Sequence, residues 1–450
     1  MRVRAMSGVR SLQEMVSVAP MMDYTDVHFR ALCRIVSRRA TLYTEMLVDK
    51  AVVNAEKEGR VAKMLARGLD EDDGNGGRVV GDTVLQLGGS DPKTMAEAAR
   101  IAARYGYASV NVNCGCPSER VAGGGRFGAA LMREPEIVRE IVERMRDESG
   151  MEVSVKCRLG VDEDDSYAQL QDFVRACARG GAEHIIVHAR KAMLNGLSPA
   201  QNRSVPPLHY GWAYALADEF PEMRFTLNGG ITSLRDARAL LRHEGYGGID
   251  GAPQLCGVML GRAVTNAPWA ILSAVDTCVY GESANPLANR REALRQYIDY
   301  CTRQETYDAD DRWRPTERAL LKPLHGLFAG EPNGKRWRCR MDEVLTRHRQ
   351  SGAANGKGGT MLRVEDVLME CMETLPAHVL DAPPQLVIDD DGEDEESEQQ
   401  KMAIRLPPRP APSSRARDAV YSADDEDKAV QVQRIASGNR HRQRASASAV

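Results

Sequence analysis

The sequence predicts a (β/α)₈ barrel, followed by a helical region and a polar tail. Eight short apolar segments alternate with helical patterns over about 270 residues, which is the typical length of such a barrel. No GxGxxG motif follows the first segment, which disfavours the alternative of a doubly wound open sheet. Polar or reactive residues end almost every segment, and only a closed barrel gathers all these ends around one mouth. These residues are Met22, Glu45, Gln86, Asn113, Lys156, His188, Asn228 and Arg262.

The predicted elements follow from alternating and helical patterns in the chain. The strands are Ser17 to Met22, Arg39 to Glu45, Thr83 to Gly88, Ser109 to Asn113, Glu152 to Leu159, His184 to His188, Arg224 to Gly229 and Gly257 to Gly261. The helices between them include Pro92 to Tyr105, Pro135 to Ser149, Tyr167 to Arg179, Gly211 to Glu219 and Ser233 to His243. Asp91 is a plausible N-cap, and Gly150 stands where a helix should stop.

Composition favours a large globular protein with appendages. The 450 residues are 42% hydrophobic, which is enough for a large core and more than one domain. We divide the chain into an N-terminal extension (1–15), the barrel (16–284), a helical domain (285–378) and a disordered tail (379–450). The extension is basic, as in the remnant of an organelle transit peptide, or is simply a frayed terminus.

Several classes of protein are disfavoured by what the sequence lacks. It has no run of eighteen apolar residues and no apolar core of a secretion signal, so we expect a soluble intracellular protein of the cytoplasm or an organelle. The ten cysteines are scattered without paired CxxC motifs, which indicates reduced thiols and no metal site. The net charge of −4 argues against nucleic-acid binding, but the acidic block from Asp389 to Glu398 offsets basic regions elsewhere.

Cys116 is the strongest candidate for a catalytic residue. It lies in a Gly-Cys-Pro turn directly after a predicted strand, where its thiol would stand at the barrel mouth. An ordinary cysteine thiol is mostly protonated at neutral pH and can act as a general acid. An acyl-transfer nucleophile paired with His188 is the alternative, although no motif indicates an oxyanion hole. The following loop carries Arg120 and Arg126 among glycines and would suit a polyanion.

Other mouth residues are candidates for ligand contacts. Lys156 lies within a strand-like VSVKCRL segment and needs either an anionic ligand or an ion pair with a neighbour such as Glu45. His188 ends its strand and is either a hydrogen-bond donor to a ligand or a structural histidine. Gln86 offers a donor and an acceptor that suit the edge of a flat heterocycle.

The last two strands end in sequences typical of a phosphate site. Asn228, Gly229 and Gly230 follow the seventh strand, and Gly261 and Arg262 follow the eighth. In (β/α)₈ enzymes these two loops often bind phosphate through backbone N–H groups, and an arginine adds a charge-assisted hydrogen bond. The phosphate could belong to a substrate or to a cofactor.

The helical region carries a predicted basic platform, whose alternative is an ordinary solvated helix surface. Its members are Lys322, His325, Lys335, Arg336, Arg338, Arg340, Arg347 and Arg349.

Several long motifs resemble those of the tRNA-dihydrouridine synthases, in particular the A-type subgroup that acts on D-loop uridines near position 20. The resemblance covers about Val16 to Arg349. The motifs are APMMDYTDVHFR, LQLGGSDP, NCGCPSERV, RFGAALM, VKCRLGVD, HARKAMLNGLSPAQNR, NGGI and MLGRA.

This resemblance implies an FMN-dependent enzyme that takes hydride from NADPH and reduces the C5=C6 bond of uridine in tRNA. Cys116 matches the cysteine that protonates C5. The positions that match flavin contacts are Pro20, Met21, Met22, Gln86, Lys156 and His188, with Asn228, Gly229, Gly230, Gly261 and Arg262 at the phosphate end. The positions that match tRNA contacts are Asn113, Arg203, Lys335 and Arg338. We expect a monomer without metal or membrane contact.

Two rival functions remain open from the sequence. The first is a flavin barrel that acts on a free pyrimidine, although the basic helical region and the segment around Arg203 argue against it. A catalytically idle tRNA-binding factor on the same scaffold is the other.

Overall fold

The computed structural model describes residues 15–70, 81–118, 127–242, 255–306, 315–355 and 362–385. Outside these ranges lie most of the predicted N-terminal extension, the Arg120 to Arg126 loop, the segments 71–80 and 243–254, and nearly all of the predicted tail.

Eight parallel strands form a closed barrel in chain order, and the eighth pairs with the first. This confirms the predicted (β/α)₈ architecture and excludes the open sheet. The strands are β1 (Val16–Val18), β2 (Thr41–Val48), β3 (Thr83–Gly88), β4 (Ser109–Cys114), β5 (Glu152–Cys157), β6 (His184–His188), β7 (Arg224–Asn228) and β8 (Gly257–Leu260).

Alternation along each strand divides the core into two parts. Outward-facing residues such as Val110 and Val112 of β4 belong to the main core, which the barrel shares with the surrounding helices. Inward-facing apolar residues form a separate small cluster of Ala19, Tyr43, Val84, Ile186 and Met259. The remaining inward positions near the mouth are polar, which leaves that end of the barrel available for chemistry.

Helices join the strands as predicted, and the structure adds three between β1 and β3 that we did not predict. The helices of the barrel are α1 (Val27–Val36), α2 (Asp49–Lys57), α3 (Val61–Met64), α4 (Pro92–Arg104), α5 (Pro135–Ser149), α6 (Tyr167–Gly180), α7 (Tyr210–Glu219), α8 (Leu234–Arg242), α9 (Arg262–Asn266), α10 (Pro268–Leu272) and α11 (Val275–Cys278). Asp26 caps α1 by accepting a hydrogen bond from the Phe29 N–H. Asp91 caps α4 by accepting from the Thr94 N–H, so the predicted N-cap is confirmed.

Several predicted strand boundaries are wrong by one to four residues, and the two largest differences, at the ends of β1 and β2, lie beside the mouth. β1 ends at Val18 rather than at Met22, because the Met21 carbonyl accepts hydrogen bonds from the N–H groups of Tyr24 and Thr25 and so closes a turn. β2 runs on to Val48, since its pairing with β3 resumes at Met46 after a register shift and continues to Val48 opposite Gly88.

The helical region packs directly on the barrel. Its helices are α12 (Arg290–Thr306), α13 (Glu317–Leu321), α14 (Gly334–Asn355), α15 (Val364–Met372) and α16 (Ala377–Leu380), with a 3₁₀ helix at Lys322–Gly326. The Tyr300 hydroxyl lies 2.8 Å from His28 Nδ1 on α1, and the Arg290 guanidinium lies over the Trp269 ring. The main core is therefore continuous from the barrel into the helices. Across the described ranges, no helix is both long and apolar enough to cross a bilayer.

Candidate active site

The parallel topology brings the C-terminal strand ends together at one mouth, as predicted. Strand register sets the neighbours: Asn113 on β4 lies beside Lys156 on β5, and His188 on β6 lies beside Asn228 on β7. Cys116 follows β4, and Gly261 follows β8. The predicted catalytic and cofactor residues therefore surround one opening.

The turn that carries Cys116 is held by the side chain of Asn113. The Asn113 Oδ1 atom accepts hydrogen bonds from the N–H groups of Gly115 and Cys116, at 3.1 and 3.0 Å. This Asx turn fixes the backbone on both sides of the thiol. Cys116 is half-buried, whereas Cys114 is fully buried in the main core, so the two cysteines face different environments.

Arg158 supports the same turn from the other side, a role that we did not predict. Its Nε donates to the Gly115 carbonyl at 3.1 Å, and its Nη1 donates to the Asn202 carbonyl at 2.9 Å. Burial lowers the pKa of this guanidinium to about 10, so it remains a cation at neutral pH. Arg158 therefore joins the cysteine turn to the long loop after β6.

Gln86 belongs to a buried amide network that also includes Asn113. Its Nε2 donates to Asn111 Oδ1, and its Oε1 accepts from Asn113 Nδ2, both at 2.8 Å. One N–H and one lone pair of the amide remain for a ligand, so the predicted contact with a heterocycle edge stays a prediction. Asn113, which the resemblance assigned to tRNA contact, has its side chain engaged with Gln86 and the cysteine turn.

Lys156 is partly buried and pairs with an amide rather than a carboxylate. Its Nζ donates to Asn228 Oδ1 at 3.0 Å, and Asn228 in turn donates to the Met259 carbonyl at 2.7 Å. The alternative of an ion pair between Lys156 and Glu45 is not formed among the described residues, where Glu45 instead accepts from the Asp23 N–H at 2.5 Å. Burial, together with the nearby Arg158 cation, lowers the pKa of Lys156 to about 7.

His188 is buried, and its pKa lies well below the ordinary value because of burial and the surrounding cations, Arg158 and Lys156 first among them. The imidazole is therefore neutral at pH 7 and has both one donor and one acceptor nitrogen. Gly229, directly after β7, has a φ of 111°, and a Cβ on it would lie 2.6 Å from His188 Cδ2. Only glycine fits there.

Three arginines line the mouth on the side of β6 to β8. Arg262 donates to the Arg203 carbonyl at 3.1 Å, and Arg190 donates to the carbonyls of Ser204 and Pro206. The Nε of Arg190 is buried, and no described residue accepts from it. Arg190 is a second site residue that the sequence argument missed. Its position two residues after His188 in the HARKA motif was the available signal.

The charge of this mouth suits an anionic ligand. Among the described residues, no carboxylate forms an ion pair with Lys156, Arg158, Arg190, Arg203 or Arg262. Gly229 and Gly230 both have positive φ, and without side chains they leave room for a ligand to approach the backbone closely. The described chain contains no cluster of histidine, cysteine and acidic residues that could hold a metal.

The predicted flavin contacts after β1 differ in exposure. Met21 packs against the core, and a Cβ on Gly261 would lie 3.4 Å from its Sδ atom. Pro20 is half-buried, and Met22 is 55% exposed. The three residues thus form a rim beside the loop after β8.

The basic platform divides into two parts along α14. Lys335, Arg336 and Arg338 in the first turns are exposed, and no described residue forms an ion pair with them. Farther along, Arg340 and Arg347 both pair with Glu370 of α15, at 2.5 and 2.6 Å. Of the other predicted members, Lys322 donates to the Asp23 carbonyl at the barrel rim, and His325 is half-buried. The Arg349 side chain lies outside the described part of the chain. The free positive charge is therefore at the start of α14.

The amino-acid sequence matches one family model over most of the barrel and the helical region. The family model described as Dihydrouridine synthase (Dus) matches residues 17–366, which is more than half of the chain.

Curated relatives resemble the chain over most of their own length. It is 40% identical over 328 residues to the tRNA-dihydrouridine(20/20a) synthase of Xanthomonas campestris, covering 73% of this chain and 88% of that protein. A protein of the same name from Xylella fastidiosa is 40% identical over 365 residues, which cover 81% of this chain and 95% of that protein. The Escherichia coli K12 protein of that name is 39% identical over 331 residues, with 73% and 85% covered.

Proposed function

The chain belongs to the dihydrouridine synthase family of enzymes, and on that basis we propose that it reduces uridines 20 and 20a of tRNA to dihydrouridine. We propose FMN as its cofactor, NADPH as the hydride source and Cys116 as the proton donor. The observation that carries the proposal is the half-buried thiol of Cys116, held on a braced turn beside cations that lack carboxylate partners.

The residues of the mouth suit FMN by charge and shape. Bound FMN would supply a hydride to C6 of the uracil ring after its own reduction by NADPH. Pro20, Met21 and Met22 would border the flavin ring, with Gln86 and the neutral His188 as hydrogen-bond partners. The Lys156 ammonium would stabilise negative charge on the ring, because an adjacent anion would raise its low pKa.

The phosphate end would be held by backbone and arginine groups. Gly229, Gly230 and Gly261 allow close approach of backbone N–H groups, and the exposed Arg262 adds a guanidinium. Asn228 would act through Lys156, since its amide holds that ammonium in place.

Cys116 would hold the proton that is added to C5. The reduction adds a hydride at C6 and a proton at C5, so the acid must stand on a defined side of the ring. Transfer of the proton leaves a thiolate at Sγ, which water would later reprotonate. The neighbouring cations Arg158 and Arg203 would stabilise that thiolate. Burial lowers the pKa of each arginine, and an ionised Cys116 acts in the opposite direction by raising it.

Substrate binding would use the cations outside the mouth. The target base must leave the folded RNA to reach the site, which requires firm contacts with the surrounding backbone. Lys335 and Arg338 at the start of α14, with Arg203 at the mouth, supply positive charge for phosphates.

The direct test uses purified protein, an unmodified tRNA transcript, FMN and NADPH. We expect dihydrouridine at positions 20 and 20a by mass spectrometry of RNase fragments. Reduction of free uracil or orotate without RNA would favour the first rival. A colourless protein that binds tRNA without product would favour the second, and either result overturns the proposal.

A further inference from the structure

The turn after β1 exposes two large apolar side chains at the barrel mouth. Met22 is 55% exposed and Tyr24 is 53% exposed, whereas most large apolar side chains in the described ranges are buried. An exposed aromatic ring beside a catalytic opening is a candidate binding surface.

The turn is rigid, so this exposure does not arise from a loose loop. The Met21 carbonyl accepts from the N–H groups of Tyr24 and Thr25, at 3.1 and 3.0 Å, and the Met21 N–H donates to Thr25 Oγ1 at 3.0 Å. Asp23 has a φ of 64°, a left-handed conformation that is uncommon outside glycine. Such a conformation persists where the surroundings enforce it, and it is common at functional sites.

Two other elements hold Asp23 in that conformation. Glu45 of β2 accepts from its N–H at 2.5 Å, and Lys322 of the helical region donates to its carbonyl. The Tyr24 ring is therefore presented from a backbone that both the barrel and the helical region support.

One cation lies against the Tyr24 ring, and a second lies within electrostatic reach of it. The Lys322 ammonium lies 5.3 Å from the ring centroid, within the range of a cation–π contact. Burial and the neighbouring Arg262 lower the pKa of Arg203. Ionised Cys116 and ionised Tyr24 would each raise it, so Arg203 lies within electrostatic reach of Cys116 and of Tyr24. No described residue hydrogen-bonds the Tyr24 hydroxyl.

We propose that Tyr24 is a stacking surface for a nucleobase next to the reduced uridine, with Lys322 and Arg203 contacting the adjoining phosphates. The inference rests on the proposed tRNA substrate. Unpaired RNA bases are bound by stacking on aromatic side chains, while neighbouring cations bind the backbone. A neighbour of the extruded base would lose its stacking partner, and the Tyr24 ring replaces it at the rim.

The test compares Tyr24→Leu with Tyr24→Phe and with Met369→Ala, which removes a similarly exposed side chain on α15. Tyr24→Leu should weaken tRNA binding by about 5- to 100-fold, because each stacked base contributes about that much. Tyr24→Phe and Met369→Ala should bind like the wild type. Flavin content should be equal in all four proteins.

A second arm uses tRNA with an abasic nucleotide on either side of the target uridine. One of these changes should weaken binding to the wild type but should have no further effect on Tyr24→Leu, as expected for two partners of one contact. Independent effects, or wild-type affinity of Tyr24→Leu, would refute the stacking role. Loss of flavin from Tyr24→Leu would show instead that the ring covers the cofactor.

The same experiment separates this inference from the proposed function. If the wild type forms dihydrouridine and Tyr24→Leu binds tRNA equally well, only the stacking role is wrong. If the wild type binds tRNA but forms no dihydrouridine, the proposed function fails while the Tyr24 comparison still stands. A wild type without tRNA affinity would overturn both.

Discussion

The two ends of the barrel use charge in opposite ways. At the N-terminal end, buried Asp276 accepts from Ser37 Oγ at 2.5 Å and from the Arg38 N–H at 2.9 Å. Ion pairs such as Arg39 with Glu282 lie nearby. At the mouth, the cations that surround Cys116 donate only to amide and carbonyl oxygens among the described residues.

This difference separates charges that stabilise the fold from charges that we propose bind a ligand. A buried carboxylate with several donors stabilises the native state, because its removal leaves those donors without an acceptor. Cations gathered without carboxylates oppose folding and are retained where an anion completes the site. The following four experiments test the comparison.

The largest effect should come from Cys116→Ala. We expect dihydrouridine formation to fall by about 10²- to 10⁴-fold, because the variant would lack the proposed general acid. FMN content and NADPH oxidation should be retained. Cys339→Ala removes an exposed thiol on α14 and should behave like the wild type. Product at the wild-type rate from Cys116→Ala would contradict its role.

At the opposite end, Asp276→Ala should lower the free energy of unfolding by about 3 kcal/mol, since it leaves buried donors unpaired. Urea denaturation measures this change, and activity per folded molecule should remain. Asp172→Ala is the control, because its carboxylate forms only an exposed pair with Arg175 and should change stability by less than about 0.5 kcal/mol. Equal effects of the two variants would contradict the structural role of Asp276.

The low pKa of Lys156 should make the stability of the protein depend on pH. Its folded-state pKa of about 7 lies below the unfolded value, so the unfolded chain binds more protons between about pH 7 and pH 10. Stability of the ligand-free protein should therefore rise with pH, by up to about 1.4 kcal/mol per unit, relative to Lys156→Met. Denaturation at pH 7.5 and pH 9 measures the difference.

Added FMN should flatten that slope in the wild type, because an anion favours the charged ammonium at all these pH values. A wild type and a Lys156→Met variant with parallel pH profiles would show that Lys156 has an ordinary pKa.

The smallest effect should come from the two parts of α14. Lys335→Gln with Arg338→Gln should weaken tRNA binding several-fold. The slope of log K against log[salt] should become shallower by about 1 to 2. Arg340→Gln with Arg347→Gln should have less effect, because Glu370 already pairs with both. Glu370→Gln should strengthen binding by freeing them. Filter binding over a salt series measures all three, and equal losses from the two pairs would contradict the division.

The fold and the identity of the mouth residues were predictable because both follow from local patterns. Strand alternation and chain order predicted the barrel, and the family model confirms the resemblance found from the motifs. The missed helix α1 also had a local signal, since Asp26 precedes an apolar period typical of a helix.

What the sequence could not supply were partners distant along the chain. Arg158 supports a turn 43 residues earlier, and Lys156 binds an amide 72 residues later. Arg340 and Arg347 resemble their unpaired neighbours in sequence, and only the packing of α15 against α14 brings Glu370 to them. Such pairings depend on the closed fold rather than on spacing.

The continuous core between the barrel and the helical region has a consequence for denaturation. Trp269, Tyr300 and Trp337 are all buried in one cluster that extends across the predicted boundary at residue 285. Heating should therefore melt both parts in a single cooperative transition, without a plateau in which the barrel survives alone. A truncated chain that ends at residue 284 would expose aromatic surface and should aggregate on expression.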